Sequence, residues 1–546
     1  MSDFDLILKN GVIYDGSGQP PIQGDLGIHG DRLAYVGPSS NHRATREIDV
    51  SGLAVAPGFI NMLSWAVESL IHDGKSQSDI RQGVTLEVMG EGFSFGPFSE
   101  KMKAENTRGI LGNEDLTYKI EWTTLGEYLE FLERQGVSCN VASFVGTSTL
   151  RIHQVGFDDR PPTASELAGM QALIRQAMEE GAVGLSSALI YPPASYAKTD
   201  ELIALARVAA EYDGLYICHL RSEGAFFYEA LEEFFATLRA ANIRGEIYHL
   251  KAKGRQNWHK MSEVIQRIET ARAEGLSVTA DMYPYPASGT GLNSIVPPWV
   301  HDGGNERLLE RIADPELRKR IIAEMNQPSQ EWENFWLGVG PENTLLGGFT
   351  SEALKPYTGK RLSEVAELRG TSAEDTALDL LIEDGGRVFA MYFGISEENI
   401  REQIRSLPWL SFCSDAESLA PEGHFLKSNP HPRAYGSFAR VLGRYVRDEG
   451  LLPLEEAVRR LSHLPAQVLK IKDRGQLSVG AFADVVVFDP QSIQDHATFE
   501  DPHQFATGMQ YVFVNGETVL AEGEHTGARP GRVVRGPGWR PKRSAL

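Results

Sequence analysis

The sequence predicts an α/β fold: a (β/α)8 TIM-like barrel, a small β domain formed by both chain termini, and a helical insertion after a barrel strand. Three observations lead to this prediction. Short apolar strands alternate with amphipathic helical stretches through the middle of the chain, strand and turn signals occur at both ends, and one stretch of helices interrupts the alternation. Repeated strand–helix units with continuous apolar strands favour a parallel sheet, and about eight of them favour a barrel.

Both chain ends contain short strands joined by tight turns. Asn10-Gly11 and Asn515-Gly516 each lie between two strand-like runs, and Asn-Gly is typical of two-residue hairpin turns. The strands at either end are too few to enclose a core alone. We therefore expect residues 1–56 and 471–546 to form one small composite β domain.

The central unit, residues 57–470, is expected to form the barrel. Its candidate strands are, in chain order, VTLEVMG, CNVASFVG, AVGLSSALI, LYICHL, GEIYHL, LSVTADMYPY, VFAMYFG and LSFCSD. Amphipathic stretches such as ASELAGMQALIRQAMEEG and TDELIALARVAAEYDG lie between several of them and end at a glycine, which commonly ends a helix. Residues 293–350 contain helical patterns without intervening strands. We expect an insertion there, either a lid or a peripheral addition with no role.

Composition and charge exclude several classes of function. A net charge of -21 over 546 residues argues against nucleic-acid binding, because phosphate contacts require clustered Lys and Arg. The three cysteines form no CxxC pair, which fits a reducing compartment, and no signal peptide or long apolar run is visible. We expect a cytoplasmic protein that acts on a small molecule and not at a membrane; the question of a homo-oligomer stays open.

Polar side chains follow four of the predicted strands, where a barrel places its catalytic groups. They are Glu91 after VTLEVMG, His219 in LYICHL, His249 in GEIYHL and Asp415 in LSFCSD. One histidine at a strand end is more often structural, but two at neighbouring strand ends with two carboxylates indicate a metal site. Zinc accepts imidazole and carboxylate ligands together, and a catalytic zinc site keeps one position open for water.

Several longer motifs together resemble one known family. GAVGLSSALIYPPASYAKTDEL, ICHLRSE, HLKAKG, DMYPYPASGT and HPRAYGSFARVLGRYVR occur in this order, flanked by GVIYDGSG and VAPGFI before them and by GAFADVVVFDP and HTGARPGRVVRG after them. This set is similar to the D-aminoacylase (N-acyl-D-amino-acid deacylase) family of the amidohydrolase superfamily, over nearly the whole chain. The resemblance implies a zinc-dependent amidohydrolase that cleaves N-acyl-D-amino acids or dipeptides with a C-terminal D residue.

The resemblance also implies roles for individual residues. His219 and His249 match the histidines that hold the tightly bound zinc, and Asp415 matches the aspartate that handles protons during the reaction. Another set matches side chains that bind the substrate and its free carboxylate: Lys251, Arg433, Tyr191, Tyr283 and Arg151.

Two departures from the family pattern concern the metal. The family usually has PGFIDSHTH where this chain has PGFINMLSW, so Leu63 and Trp65 stand at the positions of two metal-binding histidines. The family's cysteine ligand aligns with Gly92, beside Glu91, whose carboxylate either reaches the same ion or caps a nearby backbone. We expect one zinc ion per chain, held by Glu91 and the two strand-end histidines. Glu87, inside the same strand, is expected to be half-buried and paired with an Arg or Lys.

Two alternatives stay open. A cyclic-amide hydrolase of the hydantoinase type is disfavoured by the missing paired histidines and by the HPR and HLK elements, which suit a free carboxylate. A catalytically inactive barrel that binds a ligand is favoured by the same missing histidines. It is disfavoured by the retained His219, His249, Lys251 and Asp415, which a binding protein does not need together.

Overall fold

The N-terminal residues form five strands of one sheet in the computed structural model, which describes residues 3–105, 118–329 and 331–541. These strands are β1 (Phe4–Ile13), β2 (Ile22–His29), β3 (Arg32–Gly37), β4 (Ala44–Asp49) and β5 (Ala54–Pro57). The predicted hairpin at Asn10-Gly11 is wrong, because both residues lie inside β1. Asn10 has φ +63, and the pairing of β1 with β2 shifts register between Leu8 and Gly11. The Asn-Gly pair therefore forms a bulge within one strand.

Eight short strands of the central region run parallel in two sheets. They are β6 (Phe59–Asn61), β7 (Val84–Met89), β8 (Asn140–Ser143), β9 (Val145–Gly146), β10 (Gly184–Ala188), β11 (Leu215–His219), β12 (Arg244–Ile247) and β13 (Val278–Ala280). One sheet has the order β6-β7-β8 and the other β13-β12-β11-β10-β9. Only Phe144 separates β8 from β9, so the two sheets meet along one stretch of chain. Nearly every residue of these strands is buried, which explains their continuous apolar sequences.

Residues 410–416 lie between the free edges of these two sheets. On one side, Ser411 N donates to Ala280 O at 2.9 Å. On the other side, Asp415 N donates to Leu63 O and Trp65 N donates to Ala416 O, both at 2.9 Å. The segment LSFCSD thus connects β13 with the chain that follows β6.

Helices fill the connections between the parallel strands. They are α1 (Val67–His72), α2 (Gln77–Ile80), α3 (Glu100–Glu105), α4 (Leu125–Gln135), α5 (Thr147–Gln154), α6 (Ala164–Glu180), α7 (Thr199–Ala210), α8 (Phe227–Ala241) and α9 (Met261–Ala273). Thr163 and Glu166 form a capping box at the start of α6, and Gly181 ends that helix with φ +114. The predicted helix stop at this glycine is confirmed.

The region that follows β13 contains strands as well as the predicted helices. It has β14 (Ser288–Gly291), β15 (Thr344–Gly348) and β16 (Phe389–Tyr392), together with α10 (Asn305–Ala313), α11 (Pro315–Met325), α12 (Phe335–Val339), α13 (Leu362–Arg369) and α14 (Ala373–Glu383). The segment VFAMYFG was predicted as a barrel strand, but it forms β16, which pairs antiparallel with β14 and β15. Its apolar side chains belong to a separate core within residues 292–392. An apolar run indicates that a segment is buried, but it does not indicate which sheet the segment joins.

The C-terminal strands complete the sheet begun by β1–β5. After α15 (Glu397–Ser406), α16 (Arg433–Arg440), α17 (Leu454–Leu461) and α18 (His463–Val468) come β17 (Val485–Phe488), β18 (Met509–Val514), β19 (Glu517–Ala521) and β20 (Glu524–His525). The sheet order is β20-β19-β18-β17-β5-β1-β2-β3, with β4 paired to β1. Asn515 and Gly516 form the predicted hairpin turn, with φ +49 and +83 between paired Val514 and Glu517. Within the described ranges, no helix is long and apolar enough to cross a membrane.

Candidate metal centre

Three buried donors converge just beyond the ends of parallel strands. His219 is the last residue of β11, His249 lies two residues after β12, and Glu91 lies two residues after β7. Glu91 Oε1 is 2.9 Å from His219 Nδ1 and 2.9 Å from His249 Nε2. One donor atom from each of the three residues lies within 4.8 Å of the others. Two imidazoles and one carboxylate are the donor set of many catalytic zinc sites, so these residues fit the ion that the sequence predicts.

A buried ion pair lies behind His249. Glu223 Oε1 is 3.1 Å from His249 Nδ1 and 2.6 Å from Lys251 Nζ, and the carboxylate and the ammonium are each 5% exposed. Lys251 Nζ also lies 2.8 Å from His249 Nδ1. Burial alone would raise the pKa of Glu223, but Lys251, His219 and His249 hold it well below its usual value. The charged carboxylate therefore fixes the imidazole ring from the side opposite Glu91.

Asp415 lies beside this cluster, in an ion pair with Arg433 and with a hydrogen bond from Trp65. Arg433 Nη1 is 2.6 Å from Asp415 Oδ2, and the indole Nε1 of Trp65 is 3.2 Å from Asp415 Oδ1. Burial raises the pKa of Asp415, and Arg433 opposes the rise. His431 accepts from the backbone N–H of Arg433 at 3.0 Å, so this histidine of the HPR motif orients the arginine.

Two residues of the site adopt left-handed backbone conformations, which are unfavourable for side chains with a Cβ. His249 has φ +34 and Asp415 has φ +49. Each conformation is secured by a hydrogen bond: His249 N donates to Asp281 Oδ1 at 2.7 Å, and Asp415 N donates to Leu63 O at 2.9 Å. Such strain occurs at functional sites, where the surrounding structure overcomes its cost of about 1–3 kcal/mol.

Two predicted tyrosines border the cluster. The ring centre of Tyr191 is 5.3 Å from that of His219, and the ring centre of Tyr283 is 6.3 Å from that of His249. The Tyr283 hydroxyl is buried and has no hydrogen-bond partner among the residues that the structure describes, so it is free to donate. The guanidinium of Arg433 lies 4.5 Å from the centre of the Tyr283 ring.

A cavity of about 240 Å³ is lined on one side by Tyr191. Its walls include the apolar side chains of Val296, Trp332 and Phe335 and the carboxyl group of Glu333. Most of its lining comes from residues 293–335, within the stretch predicted as an insertion, and Tyr191 is the predicted site residue among the lining residues.

Arg151 and Glu87 have surroundings that the sequence did not predict. The buried Arg151 Nη1 lies 2.7 and 2.6 Å from the two carboxylate oxygens of Glu201, and its Nη2 donates to Arg160 O at 2.9 Å. The structure therefore ties Arg151 to α7 and gives it no contact with the three donors. Glu87 was expected to be half-buried beside a cation; it is fully buried, and its carboxylate oxygens have no hydrogen-bond partner among the described residues.

Sequence reasoning missed the roles of Glu223 and Trp65. Glu223 follows His219 by four residues in ICHLRSE, and a carboxylate so close to a candidate ligand histidine could have been recognised as its orienting partner. Trp65 stands at the position of a metal-binding histidine, and its N–H lies 3.1 Å from Glu91 Oε2, a contact that the sequence did not predict. No sequence signal predicts that contact, because it depends on three separate strand ends.

Comparisons with known proteins support the resemblance. A model of an amidohydrolase family matches residues 427–520. The D-aminoacylase of Alcaligenes xylosoxydans xylosoxydans is 35% identical over 532 residues, which is 97% of each chain. The N-acyl-D-glutamate deacylase of Bordetella bronchiseptica, solved with zinc and a phosphonate mimic of the tetrahedral intermediate, is 32% identical with a TM-score of 0.80 over 97% of this chain and 99% of that one. A solved D-aminoacylase structure is 33% identical, with a TM-score of 0.82 over 97% of this chain and 100% of that one. That protein has a binuclear metal centre, in which one metal activates the enzyme and the second attenuates it.

Proposed function

Since this chain belongs to the D-aminoacylase family of the amidohydrolases and has their α/β fold, we propose that it is a zinc-dependent hydrolase of N-acyl-D-amino acids. Dipeptides with a C-terminal D residue belong to the same proposed substrate class, because they also present an amide next to a free carboxylate. The observation that carries the proposal is the convergence of Glu91, His219 and His249 beside the Asp415–Arg433 pair.

The proposed zinc ligands are Glu91, His219 and His249, with one ion per chain. When bound, zinc supplies Lewis acidity that polarises an amide carbonyl and lowers the pKa of water. Leu63 and Trp65 offer no imidazole to a second ion. Glu223 orients His249 from behind, at 3.1 Å from Nδ1.

Asp415 is the proposed proton carrier. Its carboxylate accepts a proton from the attacking water and later returns it to the departing amine. Burial raises the pKa of Asp415, which makes it a stronger base than an exposed aspartate. The positive charge of Arg433 stabilises the ionised carboxylate and so opposes part of this rise. The free hydroxyl of Tyr283 is the proposed donor to the oxygen on which negative charge develops.

Arg433 is the better candidate for the substrate carboxylate. Its Nε is buried and has no hydrogen-bond partner in the described part of the chain, whereas Lys251 Nζ already contacts Glu223 and His249. Lys251 then contributes a nearby positive charge, and Tyr191 forms the wall that leads into the cavity.

The scaffold we propose for this site is a (β/α)8 barrel. The eight strands of the barrel would be β6, β7, the β8–β9 stretch, β10, β11, β12, β13 and residues 410–416. The hydrogen bonds of residues 410–416 to Ala280 and Leu63 support closure. We place the composite β domain at 1–56 and 471–546 and propose that the insertion acts as the lid.

The test is a substrate panel combined with metal analysis. Purified protein is assayed against acetylated D- and L-amino acids, dipeptides with either stereoisomer at the C-terminus, and cyclic amides. We expect about one zinc per chain, release of free D-amino acids, loss of activity on chelation and recovery with zinc. His219→Ala should lose both metal and activity, whereas His153→Ala, on the half-buried face of α5, should keep both. Hydrolysis of cyclic amides alone would favour the hydantoinase alternative, and inactivity of zinc-loaded protein on the whole panel would favour the inactive barrel.

A further inference from the structure

Trp65 connects the two halves of the candidate site. Its indole Nε1 lies 3.1 Å from Glu91 Oε2 and 3.2 Å from Asp415 Oδ1. An indole has one N–H and no acceptor, so a single hydrogen is shared between two carboxylates. Both carboxylates are buried, and a donor placed between them reduces their mutual repulsion.

The backbone sets this position. Asp415 N donates to Leu63 O, and Trp65 N donates to Ala416 O, both at 2.9 Å. Trp65 and Asp415 therefore lie on two adjacent segments that are joined by backbone hydrogen bonds. This pairing brings the indole within reach of the carboxylate. The residue is half-buried.

Trp65 also decides how Glu91 presents its oxygens. Oε1 lies 2.9 Å from both His219 and His249, while Oε2 faces the indole N–H. The two oxygens have different partners, so rotation of the carboxylate would break contacts on both sides. The indole thereby helps to fix the orientation of the carboxylate plane relative to the imidazoles.

We propose that Trp65 is a positioning residue for the hydrolysis, holding Glu91 and Asp415 in a fixed relation through its shared N–H; this proposal rests on the proposed function. The indole acts through its contacts with the carboxylate proposed to bind the metal and the carboxylate proposed to carry the proton.

The decisive variant is Trp65→Phe, which keeps an aromatic ring and removes the N–H. We expect kcat to fall about 10- to 100-fold, the rate equivalent of a hydrogen bond to a charged group, with KM within about twofold of wild type. Zinc content should stay at the wild-type value, because the three ligands remain. Trp299→Phe is the matched control: its Nε1 donates to Glu324 Oε2 at 2.8 Å, outside the site, and its kcat should equal that of wild type.

A second readout does not depend on turnover. Metal-free protein is titrated with zinc while tryptophan fluorescence is recorded. The wild type and Trp299→Phe should show a change at the stoichiometric point, and Trp65→Phe should lose most of it, since Trp65 contacts a proposed ligand. If no variant hydrolyses any acylated amino acid, the proposed function fails, and this titration still decides the role of Trp65.

Wild-type kcat in Trp65→Phe would overturn the proposal, and so would an undiminished fluorescence change in that variant. If Trp65→Phe does not fold, Trp65→Gln retains an N–H donor without adding an imidazole at this position and should keep kcat within about tenfold of wild type. Complete loss of turnover in a folded, zinc-loaded Trp65→Gln would equally refute the positioning role.

Discussion

Glu223→Gln tests whether the proposed centre depends on the buried carboxylate behind His249. The substitution preserves shape but removes the charge that lies 2.6 Å from Lys251 Nζ and 3.1 Å from His249 Nδ1. Two effects should follow. The Lys251 ammonium, 5% exposed, loses its carboxylate partner, and the imidazole of His249 loses the charged group that orients it.

The structure sets the size of both effects. Unit charges 2.6 Å apart attract by about 6 kcal/mol at an effective dielectric constant of about 20, and the desolvation of both groups offsets part of that gain. Removing one partner of such a buried pair typically costs about 3–5 kcal/mol of folding stability. Loss of a group that orients a metal ligand typically weakens metal affinity about 10- to 100-fold.

Two measurements separate these effects: denaturant unfolding of the metal-free protein and competition for zinc against a chromophoric chelator. Glu201→Gln is the matched control, because Glu201 and Arg151 form a buried ion pair of similar length away from the three donors. We expect both single variants to lose stability and only Glu223→Gln to lose zinc affinity. The double variant Glu223→Gln/Lys251→Met removes the orphaned charge, so it should regain much of the stability while its zinc affinity stays low.

Unchanged zinc affinity in Glu223→Gln would refute the orienting role of Glu223. Equal loss of affinity in Glu201→Gln would refute it too, because the effect would then follow from general destabilisation. A rise in KM for Glu201→Gln, in contrast, would support the original prediction that Arg151 serves the substrate.

Three further outcomes are expected. Asp415→Asn should keep its zinc, measured by elemental analysis, while kcat falls about 10²- to 10⁴-fold; near-normal turnover would contradict the proton-carrier role. At pH values above 7, Glu87→Gln should increase the free energy of unfolding by about 1–3 kcal/mol. Burial raises the pKa of Glu87 above its unfolded value, so the folded chain holds an extra proton and stability falls as pH rises from about 4 towards the folded pKa. Denaturant unfolding at several pH values checks this, and an unchanged pH slope in the variant would contradict it. Removing zinc with a chelator should lower the melting temperature, and added zinc should restore it, since a ligand that binds only the folded state stabilises it; a melting temperature independent of zinc would count against the metal centre.

The donors of the candidate site could be predicted because they follow recognisable strands. His219 and His249 end short apolar runs, and the ends of parallel strands meet at one edge of a sheet, so their convergence follows from topology alone. Glu91 was identified in the same way. The contacts of Trp65 could not be predicted, because they require the chain after β6 to pair with residues 410–416, which are distant in sequence.

The errors in the predicted fold have a common physical origin. The sequence of β16 is as apolar as those of the parallel strands, but it pairs antiparallel with β14 and β15. The Asn10-Gly11 pair permits left-handed backbone conformations in a bulge as readily as in a turn. Local composition shows which conformations are allowed, and pairing partners then decide between them.

The sheet shared by both chain ends has a consequence for biosynthesis. Ala54–Pro57 of β5 pairs with Val485–Phe488 of β17, so one edge of β5 has its partner only after nearly all of the polypeptide has been made. Closing a loop of that length carries an entropic cost and slows folding. Until then, the nascent chain presents an open strand edge, which other chains can pair with. Aggregation during expression should therefore increase when synthesis of the last residues is slow. Deletion of β17–β20 should leave this edge of β5 exposed permanently.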